Sequence, residues 1–207
     1  LGDLAWASSD LGLDIKPTQF TGYEKFEDTG RILAIMFEGE LNSSVTEGQD
    51  AVLVLDRTPF YAESGGQVAD TGKIFAGNSV FEVTDVQKDS SEKYFLHQGK
   101  MLSGTLSVED EVTASIDAER RRAIMRAHSS THLLQKALRT VLGSHVEQAG
   151  SLVTPDSIRF DFTHFTALTP EEIEKIDSIV NDAILAGMEI NVVETSLENA
   201  KEMGAIA

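Results

Sequence analysis

His128 and His132 stand four residues apart in the stretch from Arg120 to Leu142. If that stretch is helical, at about 100° per residue the two side chains share one face, about one turn apart. Two imidazoles so placed can chelate one metal ion. A zinc site takes about four ligands, or three and a water, so the pair supplies half of one. The metalloprotease pattern is excluded, because Ser129 stands where it needs a general-base Glu. A Ser-His-Asp set drawn from Ser129, His128 and Asp161 is disfavoured, because adjacent helical residues do not face each other. The competing reading of the pair is two half-buried histidines at the edge of a core stripe. His145 follows the helix and is placed to complement its C-terminal carbonyls. Neither it nor His164 nor His97 is read as a ligand.

Helical periodicity supports the positioning element. Ile124, Ala127, Thr131, Leu134, Leu138 and Val141 recur at helical spacing as a buried stripe, and Gly143 ends the helix. Arg120, Arg121, Arg122, Arg126, Lys136 and Arg139 lie on the same helix. They read either as a solvated face balanced by Asp117 and Glu119 or as a local basic strip able to steer RNA. Thr131 lies between the histidines, and its plain role is a core-stripe threonine bonding back to the Ala127 carbonyl. Gln148 lies beyond the helix, where an exposed loop amide is the plain reading and substrate orientation the functional one.

Upstream, from about Thr18 to Asp117, the pattern is of short strands: Arg31 to Phe37, Ala51 to Leu55, Lys73 to Phe75, Val80 to Val86, Tyr94 to His97 and Val112 to Ile116. Ala51 to Leu55 is apolar throughout and predicts burial on both faces. Such spacing suggests a small antiparallel barrel. Glu63-Ser64-Gly65-Gly66-Gln67 falls in a loop between strands, where paired glycines allow positive φ and close backbone approach. It is either a tight turn or a loop leaning over a neighbouring site.

From Ala118 the chain reads as α/β. The histidine helix is followed by a hairpin (Ser151 to Val153, then Ile158 to Phe162). A helix capped by Thr169 comes next, with Pro170 first, Glu172 closing a capping box, and a core face of Ile173, Ile176, Val180 and Ile184. Gly187 ends it, Ile190 to Val193 is a predicted strand, and Ser196 opens a short helix. The fold class is thus α+β: residues 1–17 as an arm from a preceding domain, 18–117 as the barrel and 118–207 as an α/β part.

Composition narrows the function classes. The 207 residues are 41% apolar and carry a net charge of −17, which argues against a surface that grips phosphate everywhere. No run of about 18 apolar residues suggests a membrane span. There is no cysteine, which rules out disulfides and fits a cytoplasmic protein.

Several words taken together are more specific. Thr58-Pro59-Phe60-Tyr61-Ala62-Glu63-Ser64-Gly65-Gly66-Gln67-Val68, Arg126-Ala127-His128-Ser129-Ser130-Thr131-His132-Leu133-Leu134, His145-Val146-Glu147-Gln148-Ala149-Gly150-Ser151-Leu152-Val153 and Arg159-Phe160-Asp161-Phe162 resemble, in order and spacing, the editing region of alanyl-tRNA synthetases. Free-standing alanyl-tRNA editing proteins share that region. The resemblance runs from about Gly22 to Ala207. It implies a translation-factor-like β-barrel followed by an α/β editing subdomain that hydrolyses Ser-tRNA(Ala) and Gly-tRNA(Ala). It implies zinc, with His128 and His132 as two of four ligands. It gives Thr131 the sensing of the serine hydroxyl and Gln148 a place in the pocket, and sets the Gly65–Gly66 loop beside that pocket. The family's other two ligands come from a later Cys-x-x-x-His word, absent here, so the chain is expected to be a fragment holding half of the site. The acceptor end of tRNA(Ala) and the parent's remaining domains are the implied partners. ATP and Mg would belong only to the parent's aminoacylation domain, outside this chain. A free-standing editing protein and a non-catalytic RNA-binding module are the alternatives.

Overall fold

A computed structural model describes residues 16–191 and 193–205. Most of the expected N-terminal arm, residues 1–17, therefore lies outside the described residues. In chain order the elements are β1 (Gln19–Phe20), β2 (Glu27–Phe37), β3 (Glu40–Asn42), β4 (Ser44–Thr46), β5 (Asp50–Leu55), β6 (Arg57–Thr58), β7 (Gly72–Ala76), β8 (Ser79–Lys88), β9 (Phe95–Ser103), β10 (Thr105–Ser107) and β11 (Glu111–Ile116). There follow α1 (Ala118–Leu142), β12 (Gln148–Val153), β13 (Ile158–Phe162), α2 (Pro170–Leu185) and α3 (Leu197–Glu202). The fold is α+β.

Six antiparallel strands run in the order β11-β7-β8-β9-β5-β2, and β2 pairs back onto β11 to close a barrel. Closure leaves these six strands without a free edge. Period-two alternation, shifted by a bulge between Ile32 and Ala34 on β2, sends Ile32, Ile35, Leu53, Leu55, Ile74, Phe81, Met101 and Ala114 into one interior cluster. On β5, Val52 and Val54 face outward and are buried in a second cluster with Ala34, Met36, Tyr94 and Leu96. The all-apolar strand is thus covered on both faces, as its composition predicts. Ala76 pairs with Ser79 across Gly77-Asn78, and Gly77 takes the positive φ of 56° that a two-residue turn requires. The strand ends run beyond the apolar words, because pairing continues where one face meets solvent. The short strands β1, β3, β4, β6 and β10 carry too few residues for a period to show.

α1 begins where Asp117 accepts the Arg120 N–H at its N-cap, and ends where the Gly143 N–H reaches the Arg139 carbonyl. Ile124, Thr131 and Leu138 of the expected stripe are buried, and Ala127, Leu134 and Val141 are half-buried. The stripe packs on α2 and on the β12–β13 hairpin through Ala137, Leu138, Val146 and Ile176. α2 carries the expected capping box: the Glu172 N–H donates to Thr169 Oγ1 and the Thr169 N–H to Glu172 Oε2.

Three expectations need correction. Ile173 and Ile184 are not core residues of α2 but more than half exposed, because only the face with Ile176, Ile179 and Val180 meets α1. The described residues of the segment from 190 to 193 form no strand, because no neighbouring strand offers them a ladder. The basic residues of α1 are not one solvated strip. Arg121 is buried, donating through Nε to both Asp70 carboxylate oxygens and through Nη1 and Nη2 to the Gly22 and Pro59 carbonyls. Arg120 donates to the Ala69 carbonyl, Arg122 lies over the Phe26 ring, and Arg139 donates to the Val146 carbonyl. Arg126 and Lys136 remain exposed.

Candidate functional site

The i,i+4 spacing on α1 brings the His128 and His132 rings to 5.7 Å between centroids, tilted by 33°. They do share a face. His128 is half-buried and His132 exposed. Burial first, and the neighbouring His132 second, hold the His128 pKa below the ordinary histidine range. Its ring is therefore neutral at physiological pH and able to act as a nitrogen donor. Among the described residues, no third His, Cys, Asp or Glu joins the pair as a metal-binding group.

The residue against His128 comes from the barrel side. Gln67, 7% exposed, places Oε1 2.6 Å from His128 Nδ1. Sequence reasoning passed over this side chain in favour of its glycine neighbours. The two residues are 61 positions apart, so no local spacing could pair them. The glycines have a different part. Gly65 and Gly66 have φ of 59° and 80°, and Ser64 and Gln67 exchange backbone hydrogen bonds around them. That is a two-residue turn with positive φ at both centres. Gly66 also lies against β12, where an added Cβ would come within 2.3 Å of the Ser151 carbonyl oxygen. The Val153 N–H donates to the Gly66 carbonyl at 2.7 Å, and the Val68 N–H to the Val153 carbonyl at 3.1 Å. The loop is therefore both a tight turn and a strap onto the hairpin, and it reaches the histidine face through Gln67.

Thr131 is buried, and its hydroxyl donates to the His128 carbonyl at 2.7 Å. The expected acceptor, the Ala127 carbonyl, is taken by Ser130 instead. With its proton committed, the Thr131 oxygen has only lone pairs left to offer. Gln148 opens β12 as an exposed strand residue rather than a loop amide. Beside His132 lies a cleft of about 860 Å³ between α1 and the C-terminal end of α2, walled in part by Met125, Leu133, Ile184 and Met188. That volume falls in the range of small-molecule sites.

The other histidines lie apart from the pair. His97 is fully buried in the barrel: Nδ1 lies 2.9 Å from the Leu53 carbonyl and Nε2 2.7 Å from Thr58 Oγ1. The carbonyl can only accept, so Nδ1 carries the proton and Nε2 accepts from the threonine hydroxyl. His145 does not turn to the helix carbonyls. Its Nε2 lies 3.0 Å from His164 Nδ1, and its ring stacks on Phe165. Asp161 pairs with Arg159 at 3.0 Å, which leaves the Ser-His-Asp set without support. No helix among the described residues is long and apolar enough to cross a membrane.

Comparison with known proteins places the chain. The family model for tRNA synthetases class II (A) matches residues 7–120, which takes in the barrel and stops at the start of α1. Relatives extend the similarity through the histidine helix and beyond. An alanine–tRNA ligase of Acetivibrio thermocellus is 50% identical over 98% of the chain and 23% of its own length. One from Pelotomaculum thermopropionicum is 48% identical over 94% of the chain and 22% of its own length. One from Neisseria meningitidis is 48% identical over 97% and 23%. The chain thus spans less than a quarter of these relatives, and the matched model covers more than half of the chain. It belongs to the family of tRNA synthetases class II (A).

Proposed function

We propose that this chain is the editing part of an alanine–tRNA ligase, hydrolysing Ser-tRNA(Ala) and Gly-tRNA(Ala), with His128 and His132 as two of four zinc ligands. The observation that carries the reading is the pair itself: two imidazoles on one helical face, one with its ring held by Gln67, in a chain whose close relatives are alanine–tRNA ligases. The donor set fits zinc in kind, and supplies two of the four donors of a full site. Bound there, the metal would act as a Lewis acid or template for the ester.

The need for such a site is chemical. A pocket shaped for a methyl group rejects glycine or serine only by about 10–200-fold, so accuracy requires a second, hydrolytic site. The chain's own residues divide the work. His128 and His132 hold the metal position. Thr131, adjacent to His132 and with its proton given to the His128 carbonyl, offers an acceptor to the serine hydroxyl and nothing to alanine. One such bond contributes about 0.5–1.5 kcal/mol, or roughly 2- to 13-fold in selectivity. Exposed Arg126, two residues before His128 on α1, supplies a cation for the phosphate-bearing RNA.

The test is deacylation of Ser-tRNA(Ala) and Ala-tRNA(Ala) by the complete synthetase carrying Thr131→Val or His132→Ala. Thr131→Val is expected to lower the serine-to-alanine rate ratio by 2- to 13-fold. His132→Ala is expected to depress both rates. Full hydrolysis by His132→Ala would remove the metal reading, and an unchanged ratio in Thr131→Val would return Thr131 to the core.

A further inference from the structure

We infer that Gln67 is a positioning residue for His128: it fixes which ring nitrogen carries the proton and so leaves Nε2 as the donor. The inference rests on the reading of His128 as a ligand, and adds to it a residue from the barrel side.

The argument begins with hydrogen-bond roles. An amide oxygen only accepts, so a 2.6 Å contact between Gln67 Oε1 and His128 Nδ1 puts the proton on Nδ1. A neutral imidazole has one N–H, so its lone pair then sits on Nε2. The partner of one ring nitrogen thus selects the nitrogen that faces a ligand, as partners of metal-binding histidines do.

Gln67 is also built not to move. Its backbone is paired with Ser64 in both directions, and the Tyr61 hydroxyl donates to the Ser64 carbonyl at 3.2 Å. On the other side, Gly66 and Val68 are bonded to Val153 of β12. The amide that meets His128 is therefore held from the barrel and from the hairpin together. His132, on the same helical face, has no comparable partner among the described residues. The two imidazoles are inequivalent: one has a fixed tautomer and the other is free to choose. A site that must present one nitrogen in a set direction gains from the first, and a ligand that swings in from solvent can be the second.

The experiment reads the tautomers directly, by long-range proton–nitrogen NMR correlation of the imidazoles of the 207-residue chain at about pH 8, where histidine is neutral. In the unaltered chain His128 is expected to show Nδ1–H alone, whereas His132 shows an average. Gln67→Leu should raise the Nε2–H fraction of His128 several-fold, and Gln67→Glu, whose carboxylate also accepts, should restore Nδ1–H. The amide signals of Gly66, Val68 and Val153 report whether the strap persists. If Gln67→Leu loses it, the unaltered chain and Gln67→Glu decide. Nε2–H or an average on His128 in the unaltered chain overturns the inference. So does Gln67→Leu without effect, or Gln67→Glu behaving as Gln67→Leu. Added zinc tests the underlying reading separately. A fixed Nδ1–H tautomer with no zinc response at Nε2 removes the metal and keeps the positioning, whereas zinc bound through Nδ1 overturns the positioning and keeps the metal. Where zinc binds, Gln67→Leu should weaken it by about 10–100-fold.

Discussion

His97 has both ring nitrogens bonded inside the barrel, and burial pushes its pKa down to about 4. The unfolded chain holds the same group near 6.5. Above pH 6.5 both states keep it neutral, and its contribution to stability is fully present. As the pH falls from 6.5 towards 4 the unfolded state takes up a proton that the folded state refuses, and roughly 3 kcal/mol is lost. Urea unfolding of the chain across that window should therefore show a falling stability. His97→Gln should be less stable at neutral pH and should lose stability less steeply, by about one proton's worth of slope. A slope identical in both would mean that His97 titrates normally. At this scale sequence and structure part company for a simple reason. The spacing of His128 and His132 is local, and a helix obeys it. The partners of His97, His128 and Thr131 are set by tertiary contacts or by which carbonyl a neighbour has already taken, and neither is written in residue spacing.

Elements were readable where a repeating pattern and a stop signal agreed. The apolar run of β5, the capping box of α2 and the helix of the two histidines each had both. The stretch from 190 to 193 had the pattern, but its described residues have no strand partner, and a strand without a ladder is not a strand. The run Arg120-Arg121-Arg122 looks solvated in any window, yet each member has a different partner in space. Burial of Arg121 depends on Asp70, 51 residues away. The strap formed by the turn at Gly65 and Gly66 makes an element-scale prediction. Both glycines have positive φ, so alanine at either costs about 1–2 kcal/mol in backbone strain. At Gly65 the new methyl meets nothing within 4 Å, whereas at Gly66 it meets the Ser151 backbone. Thermal unfolding should show Gly66→Ala clearly below Gly65→Ala, with loss of the Val153 amide protection only in the former. Equal effects would mean that the turn and the hairpin are not pressed together.

At the scale of the molecule, the barrel and the helical part are joined by Arg121 and Asp70, both buried. Removing one partner of a buried pair leaves an uncompensated charge, so Arg121→Met should cost about 3–5 kcal/mol in chemical denaturation. Arg121→Met with Asp70→Leu should recover part of that loss, because no charge is then stranded, although Tyr61 forfeits the carboxylate its N–H now bonds. A double variant as unstable as the sum of the singles would show that the carbonyl bonds to Gly22 and Pro59, not the ion pair, hold the joint. The elements change from strands to a helix at residue 118, and a protein engineer would be tempted to cut there and graft the histidine helix elsewhere. The carboxylate that matches the guanidinium at the start of that helix and the amide that grips its first histidine both lie on the barrel side of the cut. A transplant of residues 118–207 would carry an unmatched cation at its base and a histidine free to present either nitrogen. The smallest portable unit is the barrel and helix together.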